Sequence, residues 1–262
     1  MTGNGQLAIS NRVSSQGYDG ISIVRRPCSC YNTAARVRDT MIILGELTIS
    51  TNQVAVNALQ RLIDGNKRFC EGVRSIDALA SQSRRAELLD GQEPFAIILG
   101  CSDSRVPAEL VFDQGLGDLF VIRVAGNIVA PSQVGSVEFS AEHHGARLVV
   151  VLGHSNCAAI STTLAELSRP SENRSANLAS IVDRIRPAIH TLYETDLKND
   201  PEALLKHAVR ANIRSCVDHL RHGSRLLEQL VADEGLLIVG AEYSLETGEV
   251  EFFENMPDLP ST

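Results

Sequence analysis

The chain has 262 residues, 44% of them hydrophobic, and a formal net charge of −8 at pH 7. That length can bury a substantial core, as one domain or two small ones, and the acidic balance argues against a nucleic-acid surface. No apolar run is long enough to span a bilayer, and the six cysteines do not read as a secreted disulfide framework, which favours a reducing compartment.

Residues 1–47 differ from the rest. Met1–Thr40 holds five Arg, no Lys and only Asp19 and Asp39, a local charge of +3 that leaves −11 for the remainder. Apolar periodicity is weak there, so the segment reads as an N-terminal arm: a flexible or partner-binding extension, a transit peptide, or translation from a start upstream of Met41. It lacks the apolar stretch of a secretory signal. Cytoplasmic placement is expected, or organellar if the arm is a transit peptide. Cys28-Ser29-Cys30 reads as an incidental pair.

Residues 48–262 form the main domain. From Asn52 to Phe69, Val54, Ala58, Leu59, Leu62 and Ile63 recur at helical spacing. A helix is predicted at Ser81–Leu89, then strands at Phe95–Gly100 and Leu119–Val124. A helix at Ser132–His144, a strand at Leu148–Gly153 and a helix at Ala158–Leu167 follow. Beyond a polar loop at Arg169–Ser175 come helices Leu178–Thr195, Pro201–Leu220 and Ser224–Asp233. Strand Leu236–Tyr243, the turn Glu246-Thr247-Gly248, an edge strand Val250–Phe253 and a fraying tail Met256–Thr262 complete the chain. Strands alternating with helices predict an α/β fold: a mostly parallel sheet of four parallel strands plus an antiparallel edge strand, flanked by helices. Neither Asp64-Gly65-Asn66-Lys67 nor Gly115-Leu116-Gly117 matches a phosphate loop. Cys70 and Cys216 read as isolated, buried thiols.

Two strings carry chemistry: Cys101-Ser102-Asp103-Ser104-Arg105 and His154-Ser155-Asn156-Cys157. Each follows an apolar run ending in Gly, the signature of a strand buried on both faces. In open α/β sheets ligands gather outside the carboxyl ends of strands, so two neighbouring strands could deliver Cys101 and His154 to one point. Cys157 begins the next helix, where the N-terminus favours a thiolate. Two thiolates and one imidazole form a set suited to zinc, and three ligands leave a fourth position for water or substrate. Asp103 could accept a hydrogen bond from a hydroxide there, and Arg105 could hold Asp103 by a charge-assisted fork.

At these residues, and at Arg123-Val124-Ala125-Gly126-Asn127, the chain resembles the β-class carbonic anhydrases over roughly Thr51–Glu254. The resemblance implies one zinc per subunit, held by Cys101, His154 and Cys157, with Asp103 and Arg105 as the catalytic dyad. It implies reversible hydration of carbon dioxide to bicarbonate and a proton by zinc-bound hydroxide, zinc lowering the pKa of its water to about 7. It further implies a homodimer or homotetramer, with the N-terminal helices wrapping a partner subunit.

The family's regulated subtype has Trp three residues before the first ligand Cys; here that residue is Ile98, and the chain has no Trp. Its plant-like, open subtype has Gln nine residues before that Cys, here Gln92. By the same offsets Phe120, Ala125 and Phe139 resemble the apolar lining of the substrate channel, and Phe120 and Phe139 are expected to reach across a subunit interface. His143 matches a residue thought to relay protons. If the Asp103–Arg105 pair broke, Asp103 could become a fourth ligand at low pH. One departure stands out: the family has Gly after the second ligand Cys, and this chain has Ala158. Its methyl is expected to narrow the pocket and to strain any positive φ. Two alternatives use the same residues: a carbonyl sulfide or carbon disulfide hydrolase, and a non-catalytic zinc or bicarbonate-binding module.

Overall fold

A computed structural model describes residues 51–74, 82–170 and 175–257, the side chains of Thr51 and Asn52 excepted. The arm 1–47, with Cys28, Cys30 and Met41, lies outside the described residues, as do Ser81 and the end of the tail. The first half runs α1 (Thr51–Cys70), α2 (Gln82–Glu87), β1 (Ala96–Gly100), α3 (Ala108–Val111), β2 (Leu119–Arg123), α4 (Pro131–His143) and β3 (Leu148–His154). The second half runs α5 (Ala158–Ser168), α6 (Ala176–Tyr193), α7 (Pro201–His222), α8 (Arg225–Asp233), β4 (Leu237–Tyr243) and β5 (Val250–Glu254). No helix among the described residues is long and apolar enough to cross a membrane.

The five strands form one sheet in the order β2-β1-β3-β4-β5. The first four are parallel and β5 returns antiparallel to β4, as expected. Every residue of β1 and β3 is buried, which explains why both read as unbroken apolar runs. Alternate side chains of a strand face opposite ways. Ile97, Leu99, Val149 and Val151 therefore pack with Val137, Ile160, Ile185 and Ile213 of the helices on one face. Ile98, Leu148, Val150 and Leu152 pack with Leu59 and Leu62 of α1 and with Phe112 on the other. Each such side chain contributes roughly 1.5–3 kcal/mol on burial. A sheet anchored on both faces is a rigid platform for whatever stands at its carboxyl edge.

Local signals explain the boundaries. Asp200 caps α7 by accepting from the Ala203 N–H at 3.1 Å, with Pro201 in the first turn. Ser175 caps α6 through the Asn177 N–H, which starts that helix two residues before the expected Leu178. The short helix α3 and the 3-10 turn Ala125–Asn127 are too short to show a hydrophobic period, and neither was expected. On α1 the core face is Ala55, Ala58, Leu59 and Leu62, while Val54 is 47% exposed. One cysteine expectation is corrected: Cys70 is exposed, because it ends α1 beside a turn. Cys216 is buried as expected, and burial pushes its thiol pKa up to about 12.

Candidate metal centre

The strand order puts β1 beside β3, with Gly100 opposite Leu152. Cys101 follows β1 directly, and His154 is the last ladder residue of β3, paired with Tyr243, rather than the first residue beyond it. Asn156, at φ 54°, turns the chain so that Cys157 becomes the N-cap of α5. The Sγ atoms of Cys101 and Cys157 and a ring nitrogen of His154 thereby lie within 4.8 Å of one another, all on buried residues. Among the described residues this is the one cluster of its kind.

Hydrogen bonds define which atoms are available. His154 Nδ1 faces the Ser155 carbonyl oxygen at 2.9 Å. A carbonyl only accepts, so Nδ1 carries the proton and Nε2 keeps a free lone pair. Nε2 is buried without a hydrogen-bond partner. Such an orphan costs about 1–3 kcal/mol unless something coordinates it. The Cys157 thiol, with His154 and the Gly126 N–H, holds the Cys101 pKa below the ordinary thiol range against burial. The Cys157 pKa is pushed up by Cys101 and by burial, so the pair shares a proton that a cation would displace. Two sulfurs and a free imidazole nitrogen fit zinc.

Asp103 stands at the mouth of this cluster. Arg105 forks onto it, Nε donating to Oδ1 at 2.9 Å and Nη2 to Oδ2 at 2.8 Å, and the Arg105 backbone N–H donates to Oδ1 at 3.0 Å. The guanidinium holds the Asp103 carboxyl well below the usual carboxylate range despite partial burial. Asp103 Oδ2 lies 3.9 Å from His154 Nε2, too far for a hydrogen bond but on the same opening. Arg123, at the end of β2, locks the loop from behind: its Nε donates to the Cys101 carbonyl at 3.0 Å and its Nη2 to the Asp103 carbonyl at 2.6 Å. The Gly126 N–H donates to Cys101 Sγ at 3.4 Å.

A family model described as carbonic anhydrase matches residues 96–250. A carbonic anhydrase of Mycolicibacterium smegmatis is 36% identical over 208 residues, covering 79% of this chain and 98% of that protein. The solved β-carbonic anhydrase CcaA shares the fold at TM-score 0.59 and 27% identity, covering 78% of this chain and 94% of that one. The chain belongs to the β-carbonic anhydrase family. A solved chain from the crystal structures of two tetrameric β-carbonic anhydrases of the ascomycete Sordaria macrospora shares the fold at TM-score 0.57 and 22% identity, over 64% of this chain and 84% of that one.

Within this β-carbonic anhydrase chain, the residues chosen by resemblance divide into two groups. Ala125 opens the turn that carries the Gly126 N–H, and Ala158 is the first residue of α5, so both adjoin the cluster. The φ of Ala158 is not positive, which removes the expected backbone strain; its methyl is exposed. Gln92, Phe120, Phe139 and His143 are not brought to the cluster of their own chain. Gln92 lies in the exposed loop at the amino end of β1, the opposite end from Cys101. Phe120 pairs with Ile97, three residues before the carboxyl end of β2, about 10 Å along a strand. Phe139 and His143 stack 4.5 Å apart late in α4, which runs back toward the amino ends of the strands, and Phe120 joins Phe139 at 6.3 Å. A buried residue without any motif also serves the site: Asn212 of α7, whose Nδ2 donates to the Gly126 carbonyl at 3.0 Å. Its one sequence signal is an amide in a core position beside Ala208, Val209, Ile213 and Cys216.

Proposed function

We propose that this protein is a zinc-dependent carbonate dehydratase of the plant-like, open subtype, interconverting carbon dioxide and water with bicarbonate and a proton. The observation that supports it is the Cys101–His154–Cys157 cluster with an ionised Asp103 forked onto Arg105 at its mouth. Cys101, His154 and Cys157 would hold one zinc per subunit. Bound there, zinc supplies the Lewis acidity that brings the pKa of a water to about 7. Asp103 accepts a hydrogen bond from the attacking water and aims its lone pair at the substrate carbon. Arg105 supplies three donors that keep Asp103 ionised and tied to the guanidinium, with Oδ2 3.9 Å from His154 Nε2, which supports the open reading. Ile98 is fully buried in β1, so core packing occupies the position where the regulated subtype has Trp.

The displacement of Gln92, Phe120 and Phe139 from their own cluster supports assembly with at least one further copy, whose equivalents would line the channel. Phe139 is 47% exposed, as such a role requires. The tetrameric fold relatives are consistent with that assembly.

The test is stopped-flow carbon dioxide hydration from about pH 6.5 to 9 on metal-quantified protein, beside Asp103→Ala. Activity near one zinc per chain that collapses in Asp103→Ala supports the reading. Faster turnover of carbonyl sulfide than of carbon dioxide would reassign the substrate, and zinc without turnover of either would leave a binding module.

A further inference from the structure

Gly126 is the pivot of the turn behind Cys101. Its φ of 69° and ψ of 20° are left-handed. A Cβ there would stand 2.9 Å from Ile185 Cδ1 and 3.0 Å from Ala159 Cβ. Glycine is therefore needed, but glycine also populates positive and negative φ about equally and so does not hold a direction by itself. The two peptide units that meet at its Cα have separate partners. The one before it sends its N–H to Cys101 Sγ at 3.4 Å, and the one after it presents its carbonyl to Asn212 Nδ2 at 3.0 Å. Rotation at Gly126 that broke one contact would swing the other.

Asn212 is 2% exposed on the buried face of α7, among apolar residues and 86 positions from Gly126. A buried amide in such a place costs desolvation unless its hydrogen bonds are made. We propose that Asn212 is a positioning residue for the metal centre, holding the Gly126 turn so that its N–H stays aimed at the Cys101 thiolate. The proposal rests on the metal reading above and extends it from the ligands to the residue that orients them. The N–H draws charge from the sulfur and fixes which lone pair faces the cluster. Outer contacts of this kind commonly change metal affinity by about 10–100-fold.

The experiment compares native protein with Asn212→Leu, similar in volume but without the donor, and with Val217→Ala, which removes packing on the same helix away from the turn. Zinc affinity is read by chelator competition. The environment of the sulfur is read from the thiolate-to-cobalt charge-transfer band after Co(II) substitution. Thermal unfolding of the metal-free forms reports the structural cost. Asn212→Leu should weaken zinc binding by about 10–100-fold and move the band to longer wavelength, while Val217→Ala lowers the melting temperature and leaves both metal readouts unmoved. If Asn212→Leu loses stability like Val217→Ala, with zinc affinity within about twofold of native and the band in place, Asn212 is core filling and the proposal falls. Should Asn212→Leu not fold, Asn212→Ser, whose side chain is one bond too short to reach the carbonyl, takes its place: weakened zinc binding with a shifted band supports the proposal, and native values of both overturn it. Native protein that takes up neither zinc nor cobalt overturns the metal reading itself, and this proposal with it.

Discussion

Replacing Gly126 by alanine tests the geometry of the site most directly. At φ 69° an L-residue costs about 1–2 kcal/mol. The new methyl would also meet Ile185 Cδ1 at 2.9 Å and Ala159 Cβ at 3.0 Å. The isoleucine tip can rotate, but Ala159 is fixed in the first turn of α5, two residues after Cys157. Overpacking of this kind costs roughly 1–3 kcal/mol, so the sum is about 2–5 kcal/mol. For a folded region of this size that is a fall in melting temperature of roughly 5–15 °C. Because α5 must move to relieve the contact, Cys157 moves relative to Cys101, and zinc affinity should fall as well. Calorimetry of the metal-free and zinc-loaded forms, with chelator competition, measures both. Gly135→Ala is the control: the site is exposed within α4 and nothing lies within 4 Å of the new methyl, so about 0.5–1 kcal/mol of stabilisation is expected. A Gly126→Ala protein that melts within about 2 °C of native and binds zinc equally would refute the account of the turn.

Asp103→Ala should retain zinc, since Asp103 is not one of the clustered ligands, yet lose carbon dioxide hydration by about 10²–10⁴-fold. The Asp103 carboxyl is held below the usual carboxylate range by Arg105. The stability this contributes is full above the unfolded carboxylate pKa of about 4 and is lost as pH falls through the lower folded value. In Arg105→Gln the carboxyl regains a proton at higher pH, so the Asp103 titration followed by carbon-13 NMR should move up; an unmoved titration would mean that Arg105 does not govern Asp103. Chelation should leave the far-ultraviolet dichroism intact, because the sheet is built from apolar strands, and lower the melting temperature by the zinc linkage; global unfolding on chelation would contradict this. Ala158→Gly should cost at most about 1 kcal/mol and raise kcat/KM less than about twofold, since the methyl is exposed and the backbone unstrained. A tenfold gain would show that the methyl obstructs substrate.

Much of the site was legible because its chemistry is carried by distinctive residue types at strand ends. Cys101, His154 and Cys157 could be picked out as a candidate donor set, and Asp103 and Arg105 as a pair, from short strings alone, and the strands beneath them from unbroken apolar runs. Gln92, Phe120, Phe139 and His143 were chosen by resemblance, and a single strand length separates Gln92 from Cys101. Placing them at the cluster calls for a second copy, which no pattern within one chain encodes.

The amino-acid sequence by itself determined the alternation of strands and helices, the parallel sheet and the donor set for a metal, because period, capping and ligand chemistry are local properties of the chain. Only the tertiary structure decided that β1 and β3 are neighbours, and so that residues 53 positions apart meet. It also decided which backbone groups face the thiolate. The Gly126 N–H, the Arg123 clamp and the Asn212 amide act across 20 to 86 positions of sequence. The direction of a peptide N–H is set by packing around it, and no side-chain alphabet records it.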